Sequence, residues 1–351
     1  MDGYAHENMY RQLFIGGLCN CNNGIIRNSY VEITIDNNLK ISHNNSGNYD
    51  FASYTLAFCV GGLSAINENV IENCHTIVDI KNNLQASSIG SSNYRVSRVN
   101  ISTFLGGLAA QNLVNGVITN CSSNIKQNNS DPSLSYNNYG STVFYYEEGG
   151  LVGHNKGKID KCFSYYEVNY ESVAGFIGGL CGNNIETGEI SNSYANSKMS
   201  VNNNPFYALG GYYTHMGGIA GLNKNKINSC YCVIDITSKS KVFGKYNGIT
   251  GNLGKVMNSF VSAKINLISG EFDILSVDNS GITNKCLIDK NSMIIVSEED
   301  ISEEFFNTKQ YENVMELEQI ILKKELVNKL YWDENIWIID EINYPKLKWE
   351  N

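Results

Sequence analysis

The chain has 351 residues, of which 42% are hydrophobic and 17% are charged, and it contains 32 glycines but only 3 prolines. This composition excludes a disordered tail, a collagen-like fibre and a simple coiled coil, and it is sufficient for a buried core. The net charge of -9 provides no electrostatic footprint for nucleic acid or for an anionic membrane surface. Neither is therefore expected as a partner.

The first residues, MDGYAHENMYRQLF, have neither the basic n-region nor the continuous apolar h-region of a signal peptide. No apolar run of about eighteen residues follows, so no membrane insertion is expected. The chain is expected to be soluble and to carry no visible export signal. Two explanations of the missing signal peptide stay open. The chain is a fragment or has a misplaced start codon, or it is an intracellular repeat protein.

A pattern recurs seven times between residues 16 and 265, and more weakly an eighth time from Ser280. Each unit contains Gly-Gly-Leu or a close variant, an asparagine five residues after the second glycine, an aliphatic residue and then Asn-(Ser/Cys)-(Tyr/Phe). The repeat positions are Gly17, Leu18, Gly62, Leu63, Gly107, Leu108, Gly150, Leu151, Asn155, Gly179, Leu180, Asn184, Gly218, Ile219, Asn223 and Gly248.

One such unit cannot bury its own apolar face, whereas stacked units bury the inward side chains of every strand. The repeats therefore predict an all-β fold, a right-handed parallel β-solenoid of seven to eight coils over residues 1–294. The handedness follows from the general preference of parallel crossovers. Equivalent glycines are separated by about 29 to about 45 residues, so the longer units carry insertions. The polar insertions at 36–50, 81–100 and 126–142 are expected to protrude as loops.

The unit resembles the GLUG repeat, named for its Gly-Leu-any-Gly core, as in GGLVGHN at 149–155. The last glycine of this core is present at Gly153, Gly182, Gly221 and Gly251. It is replaced by Asn20, Ala65 and Ala110 in the first three units, where a different corner geometry is expected. The resemblance implies a bacterial surface or secreted protein.

The composition changes over residues 295–351, which contain all three tryptophans and many charges. Ser297 with Asp300 resembles a capping box, and Val314, Leu317, Ile321 and Leu330 have helical spacing, so a helix is predicted. The end of the chain also resembles the Trp-x(4)-Trp and Tyr-Pro-x-Leu endings of GLUG arrays. A terminal cap is therefore expected to lie against the last coils near Ile282 and Ile288. The cap residues are Trp332, Trp337, Tyr344, Leu347 and Trp349.

Four of the ten cysteines share one repeat position with serines. This alternation favours a column of small reduced thiols inside the stack. The spacings Cys19-x-Cys21 and Cys230-x-Cys232 do not supply the paired Cys-x(2)-Cys ligands of a zinc site. No metal and no cofactor is predicted. Disulfides between neighbouring coils stay a second interpretation.

The five histidines lie in different units without metal-binding spacing. His75 shares a column with aromatic residues of the other units, which predicts ring-on-ring packing along the stack. An outward stripe that stacks on sugar rings is the alternative. The column also contains Tyr30, Phe163, Tyr194, Tyr231 and Phe260.

Parallel β-helices also form the scaffold of polysaccharide-degrading enzymes, whose chemistry needs two nearby carboxylates. Glu147 and Glu148 are the only acidic pair in the array, with Tyr145 and Tyr146 beside them. These four residues are the candidate ligand contacts. The competing interpretation is a solvated pair in a loop.

No catalytic residues are assigned, and the favoured function is a non-catalytic structural or adhesive segment of a bacterial surface or secreted protein. Its expected partners are host or environmental glycans or proteins. One alternative is a carbohydrate-active β-helix enzyme, either a lyase or a hydrolase. Another is an accessory repeat region of a large secreted peptidase, because GLUG units are also found attached to such enzymes.

Overall fold

A computed structural model describes residues 6–38, 40–45, 51–83, 85–90, 96–129, 133–136, 140–171, 174–202, 214–239, 244–268, 271–275, 280–289, 292–298, 301–305, 314–317, 329–339 and 343–350. Each repeat forms one coil, and successive coils stack in parallel. The predicted parallel β-solenoid is thereby confirmed.

Four strands build one coil, and equivalent strands of successive coils form four parallel sheets, named A to D in chain order. Sheet A contains His6–Gly16, Phe51–Gly61, Val96–Gly106, Gly140–Gly149, Gly175–Gly178, Thr214–Gly217, Gly244–Asn247 and Glu271–Asp273. Sheet B contains Cys19–Asn22, Ser64–Asn67, Ala109–Asn112, Val152–Asn155, Cys181–Asn184, Ala220–Asn223 and Thr250–Asn252.

The two remaining long sheets complete the coil. Sheet C contains Ile25–Arg27, Val70–Glu72, Val117–Thr119, Lys158–Asp160, Glu189–Ser191, Lys226–Asn228, Lys255–Met257 and Ile282–Asn284. Sheet D contains Tyr30–Asn37, His75–Asn82, Ser122–Asn129, Phe163–Tyr170, Tyr194–Val201, Tyr231–Ser238, Phe260–Leu267, Cys286–Asp289, Met293–Glu298, Ile301–Phe305 and Val314–Leu317.

The Gly-Gly step makes the corner between sheets A and B, where the backbones of neighbouring coils nearly touch. A Cβ atom on Gly62 or Gly179 would lie 2.0 Å from the carbonyl oxygen of the equivalent glycine in the next coil. The leucine that follows points into the core, and from Leu63 to Leu180 it is completely buried. The first three units keep this register although their Gly-Leu-any-Gly pattern lacks its last glycine, since Gly16, Gly61 and Gly106 pair directly.

A second geometry that recurs from coil to coil forms the corner between sheets C and D. One residue of each coil there is left-handed, with φ between 46° and 54°. Asparagine tolerates this conformation better than most residues, because its short side chain bonds to local backbone. The corner residues are Asn28, Asn73, Asn120, Lys161, Asn192, Ser229, Asn258 and Lys285.

The prediction that the insertions are loops is wrong for the parts that the structure describes. Lys40–Asn45, Gln85–Gly90 and Ser133–Tyr136 pair in parallel as a separate three-stranded sheet, named sheet E. Sheet E lies against the long strands of sheet A. The three insertions recur once per coil, so their backbone amides and carbonyls form hydrogen bonds with one another as they do in the main sheets.

The predicted helix over the C-terminal segment is wrong at Ser297 and over Val314–Leu317, whereas Lys329 and Leu330 are helical. Ser297 lies within the strand Met293–Glu298, which pairs antiparallel with Ile301–Phe305. Val314–Leu317 is a strand parallel to Cys286–Asp289. Their backbones extend the open edge of sheet D, and this tertiary pairing overrides the local helical spacing. Ile321 lies outside the described residues.

The last residues form a short antiparallel pair, Trp337–Ile338 with Lys346–Leu347, followed by a 3-10 helix at Lys348–Glu350. In the described part of the chain, no helix has the length and apolar character needed to cross a membrane.

Candidate functional site

The four candidate contact residues lie on the sheet A strand Gly140–Gly149, not in a solvated loop. Tyr146 and Glu148 point into the solenoid core, where Glu148 occupies the position of Leu105 and Ile177 in the neighbouring coils. Glu147 takes the opposite face, as alternation along a strand requires. Both carboxylates are nevertheless buried, since Glu147 is 6% exposed and Glu148 is not exposed at all.

Inside the core, Glu148 belongs to a polar cluster with side chains of sheet D. Its Oε2 atom accepts hydrogen bonds from the Tyr170 hydroxyl and, at 2.8 Å, from Gln127 Nε2. Tyr166 in turn donates to Gln127 Oε1 at 3.1 Å. Glu148 Oε1 has no hydrogen-bond partner among the described residues. Burial raises the pKa of Glu148 to about 7, and the two donated hydrogen bonds only partly oppose this shift.

On the other face of the strand, Glu147 accepts hydrogen bonds from three side chains. These are His154 Nδ1, Tyr145 Oη at 3.1 Å and Asn183 Nδ2 at 3.1 Å. His154 and Asn183 come from sheet B of the same and the next coil, so the carboxylate joins the two sheets at their corner. Glu147 thus holds the corner together.

The two carboxylates do not form a catalytic dyad. A glycosidase needs both carboxyl groups to reach one bond of the substrate, whereas Glu147 and Glu148 lie on opposite faces of one strand. The structure groups Tyr145 with Glu147 and Tyr146 with Glu148; Tyr145 is partly exposed, whereas Tyr146 and both carboxylates are buried. The sequence analysis missed Gln127, Tyr166, Tyr170, His154 and Asn183. For Gln127 and Tyr166, the signal was a polar or bulky residue at a repeat position that is aliphatic or small in the other units.

The longest polar feature of the solenoid is a ladder of buried asparagines at the end of each sheet B strand. Each Nδ2 donates to the Oδ1 of the asparagine in the next coil, and the six bonds are 2.7 to 3.0 Å long. Several amides also donate to turn carbonyls. The ladder residues are Asn22, Asn67, Asn112, Asn155, Asn184, Asn223 and Asn252.

The shared cysteine position forms a second internal column at the start of sheet D. All ten cysteines lie within the described residues, and all are free. Cys121 and Cys162 donate from Sγ to the carbonyl two residues earlier, at 3.0 and 3.2 Å. Burial raises the pKa of the Cys230 and Cys286 thiols to about 12. These thiols therefore stay protonated and act as small core residues. The described residues contain no cluster of three side chains suited to a metal ion.

The aromatic column stacks along the outer flank of sheet D. Phe163 and Tyr194 have ring centroids 5.0 Å apart, Tyr194 and Tyr231 have them 4.7 Å apart, and in both pairs the ring planes are nearly parallel. Tyr30 also stacks on His75, at 5.6 Å. The column is not an open stripe between Phe163 and Phe260, because the C-terminal segment packs over it.

The predicted cap residues lie along the flank of the solenoid as well as against its last coil, where Tyr344 donates to Asp289 Oδ2 at 3.4 Å and Leu287 joins their buried cluster. Trp349 stacks on Phe163 and donates to the carbonyl of Lys161, while Trp332 donates to the carbonyl of Asn258. Both acceptors are left-handed corner residues. Trp337 is 2% exposed and stacks on Trp332 at 4.6 Å.

Hydrogen bonds fix the rest of this segment across the coils. Tyr194 donates to Glu350 at 3.0 Å, and Tyr231 donates to the carbonyl of Pro345 at 2.5 Å. Tyr344 stacks on the Tyr231 ring, with centroids 6.1 Å apart. We call residues 329–339 and 343–350 the strap, because they tie together coils that follow one another in the stack.

No family model and no curated protein matches the chain. Among solved structures, an IgA1 protease is similar with a TM-score of 0.42 and 17% identity, over 84% of this chain and 20% of that one. A Bacteroides ovatus protein described as a candidate immunoglobulin A1 protease has a TM-score of 0.39 and 16% identity, over 85% and 86% of the two chains. This chain thus spans about a fifth of the first protein, and similarities at these scores support no assignment of activity.

Proposed function

We propose that this chain is a non-catalytic repeat scaffold, a structural or adhesive segment of a bacterial surface or secreted protein. The observation that supports this proposal is the buried asparagine ladder, which continues unbroken through seven successive coils. Such a ladder couples every coil to its neighbours, since a displaced coil would leave two buried amides unsatisfied.

The contacts of the two candidate carboxylates support the same proposal. Glu147 and Glu148 are both used inside the protein, one at the corner of two sheets and the other in the core. The strap covers the middle of the aromatic column. The remaining contact surface consists of the outward side chains of the sheets and the polar insertions. Their expected partners are glycans or proteins.

Mechanical unfolding tests the structural part of this proposal. A single chain held at its two ends and pulled should unfold as a cooperative body at high force, and Asn112→Ala should lower that force. Asn124→Ala is the matched control, because Asn124 is exposed on sheet D. Unfolding coil by coil at low force would contradict the proposal that the chain is a structural scaffold.

A glycan array and a panel of acidic and neutral polysaccharides test the adhesive part. We expect binding without release of reducing ends. Release of reducing ends that is lost in Glu147→Gln or Glu148→Gln would contradict the proposal and would favour the carbohydrate-active enzyme.

A further inference from the structure

The first coil has an open face with the chemistry of an interface between coils. Its turn leucine, Leu18, is 53% exposed, whereas the equivalent residues from Leu63 to Ile249 are at most 1% exposed. Leu13 is 42% exposed, although its partner in the next coil, Phe58, is 2% exposed. Both side chains occupy inward positions of the repeat. The inward apolar side chains at the edge of the first coil are thus packed on one side and exposed to solvent on the other.

The polar groups of this face make hydrogen bonds to a neighbouring coil on one side only. Within the solenoid, each ladder asparagine accepts from the amide of the preceding coil, and each turn leucine carbonyl accepts from the preceding turn. Asn22 donates to Asn67, and the Leu18 amide donates to the Leu63 carbonyl. Asn22 Oδ1 accepts from the Gly24 amide of its own turn at 3.1 Å, and among the described residues no preceding coil donates to it or to the Leu18 carbonyl. The face therefore lacks the donors that a neighbouring coil supplies elsewhere in the stack.

One charge further defines what can cover this face. Arg11 occupies an inward column whose other members are Leu56, Ile101 and Phe144. Its side chain is exposed in the first coil. A covering segment that buried this guanidinium without a partner would leave an uncompensated charge in the core, so it must bring a carboxylate.

We propose that the open face of the first coil binds a further β-solenoid coil, apolar along its inner edge, with a side-chain amide above Asn22 and a carboxylate above Arg11. A second copy of this chain does not fit. Its own first coil would offer acceptors rather than donors. Its last ladder residue, Asn252, already donates to the carbonyl of Ile282 at 3.3 Å.

An appended coil tests this inference on the full chain. A second copy of residues 51–95 is placed directly before His6, instead of residues 1–5. The in-register pairing of 51 with 6 then sets the copied Asn67 above Asn22 and the copied Leu56 above Arg11. We expect the amides of the first coil to exchange hydrogen at least about tenfold more slowly, and the unfolding midpoint to shift to higher denaturant.

Variants of the appended coil test the stated chemistry. Leu56→Glu in the copy should increase protection further, and Asn67→Ala in the copy should reduce it. Leu18→Asp in the extended protein should remove the gain, while in the original chain it should leave folding intact because Leu18 is exposed. An appended coil that stays unprotected would overturn the proposal. So would dimerisation of the original chain that is abolished by Leu18→Asp, because the occupant would then be a second copy.

Discussion

Replacing Glu148 with glutamine should remove a pH dependence of stability that the core of the fourth coil creates. Glu148 lies where the adjoining coils have Leu105 and Ile177, and among the described residues its carboxylate accepts hydrogen bonds only from Tyr170 and Gln127. Glutamine has nearly the same shape, accepts the same two hydrogen bonds and carries no charge. The substitution therefore tests the ionisation separately from the packing.

The expected magnitude follows from the difference in pKa between the two states. The pKa of Glu148 is about 7 in the folded chain against 4.5 for an ordinary glutamate, which corresponds to about 3 kcal/mol. Because the folded value is the higher one, this contribution is complete below pH 4.5 and is lost as the pH rises through about 7. Tyr166 and Tyr170 stay protonated throughout this range, since burial raises their pKa values well above 10.

Urea unfolding of both proteins at pH 5 and at pH 8 measures the effect. The free energy of unfolding of the original chain should fall by about 2.5 kcal/mol relative to the Glu148→Gln variant between these pH values, because a small part of the contribution is already lost at pH 5. Glu147→Gln is the matched control, since it changes the neighbouring residue on the other face and should retain the pH dependence. Equal pH profiles for the original chain and Glu148→Gln would refute the reasoning.

Three other substitutions have expected outcomes that the same unfolding assay measures. Asn112→Ala should cost about 3 kcal/mol, because it removes the ladder acceptor of Asn67 Nδ2 and the ladder donor to Asn155 Oδ1, and a much smaller loss would show that the ladder is not cooperative. Trp337→Ala should cost about 3 to 5 kcal/mol through the cavity it opens in the strap, whereas an unchanged midpoint would mean that the strap does not stabilise the coils. Lys161→Asn should stabilise the protein by about 0.5 to 1 kcal/mol because φ is 53° there, and destabilisation would contradict the role of asparagine at the corners.

The stacked fold could be predicted from the sequence because the repeat sets the strand register by itself. Once Gly16, Gly61 and Gly106 are recognised as equivalent, in-register parallel pairing follows, and so do the asparagine ladder and the thiol column. A repeat makes each long-range contact a copy of the same local pattern. This argument does not depend on any contact unique to one coil.

The features that appear only once could not be predicted in this way. The strap was expected at the end of the stack, yet Trp349 contacts Lys161 across 188 residues of sequence. Nothing in the spacing of the tryptophans indicates which coils they reach. The segment around Val314 has helical spacing but becomes a strand, because pairing with Cys286–Asp289 satisfies its backbone.

The sequence by itself thus determined the coil, its register and the residues of its interior, since periodic patterning needs only neighbouring copies to bury itself. The tertiary structure alone decided the surroundings of Glu147 and Glu148. Adjacent in sequence, they lie on opposite faces of one strand, where one meets His154 and the other meets Tyr170. The pKa of a carboxyl group depends on burial and on donors brought from other strands, and folding alone places those donors.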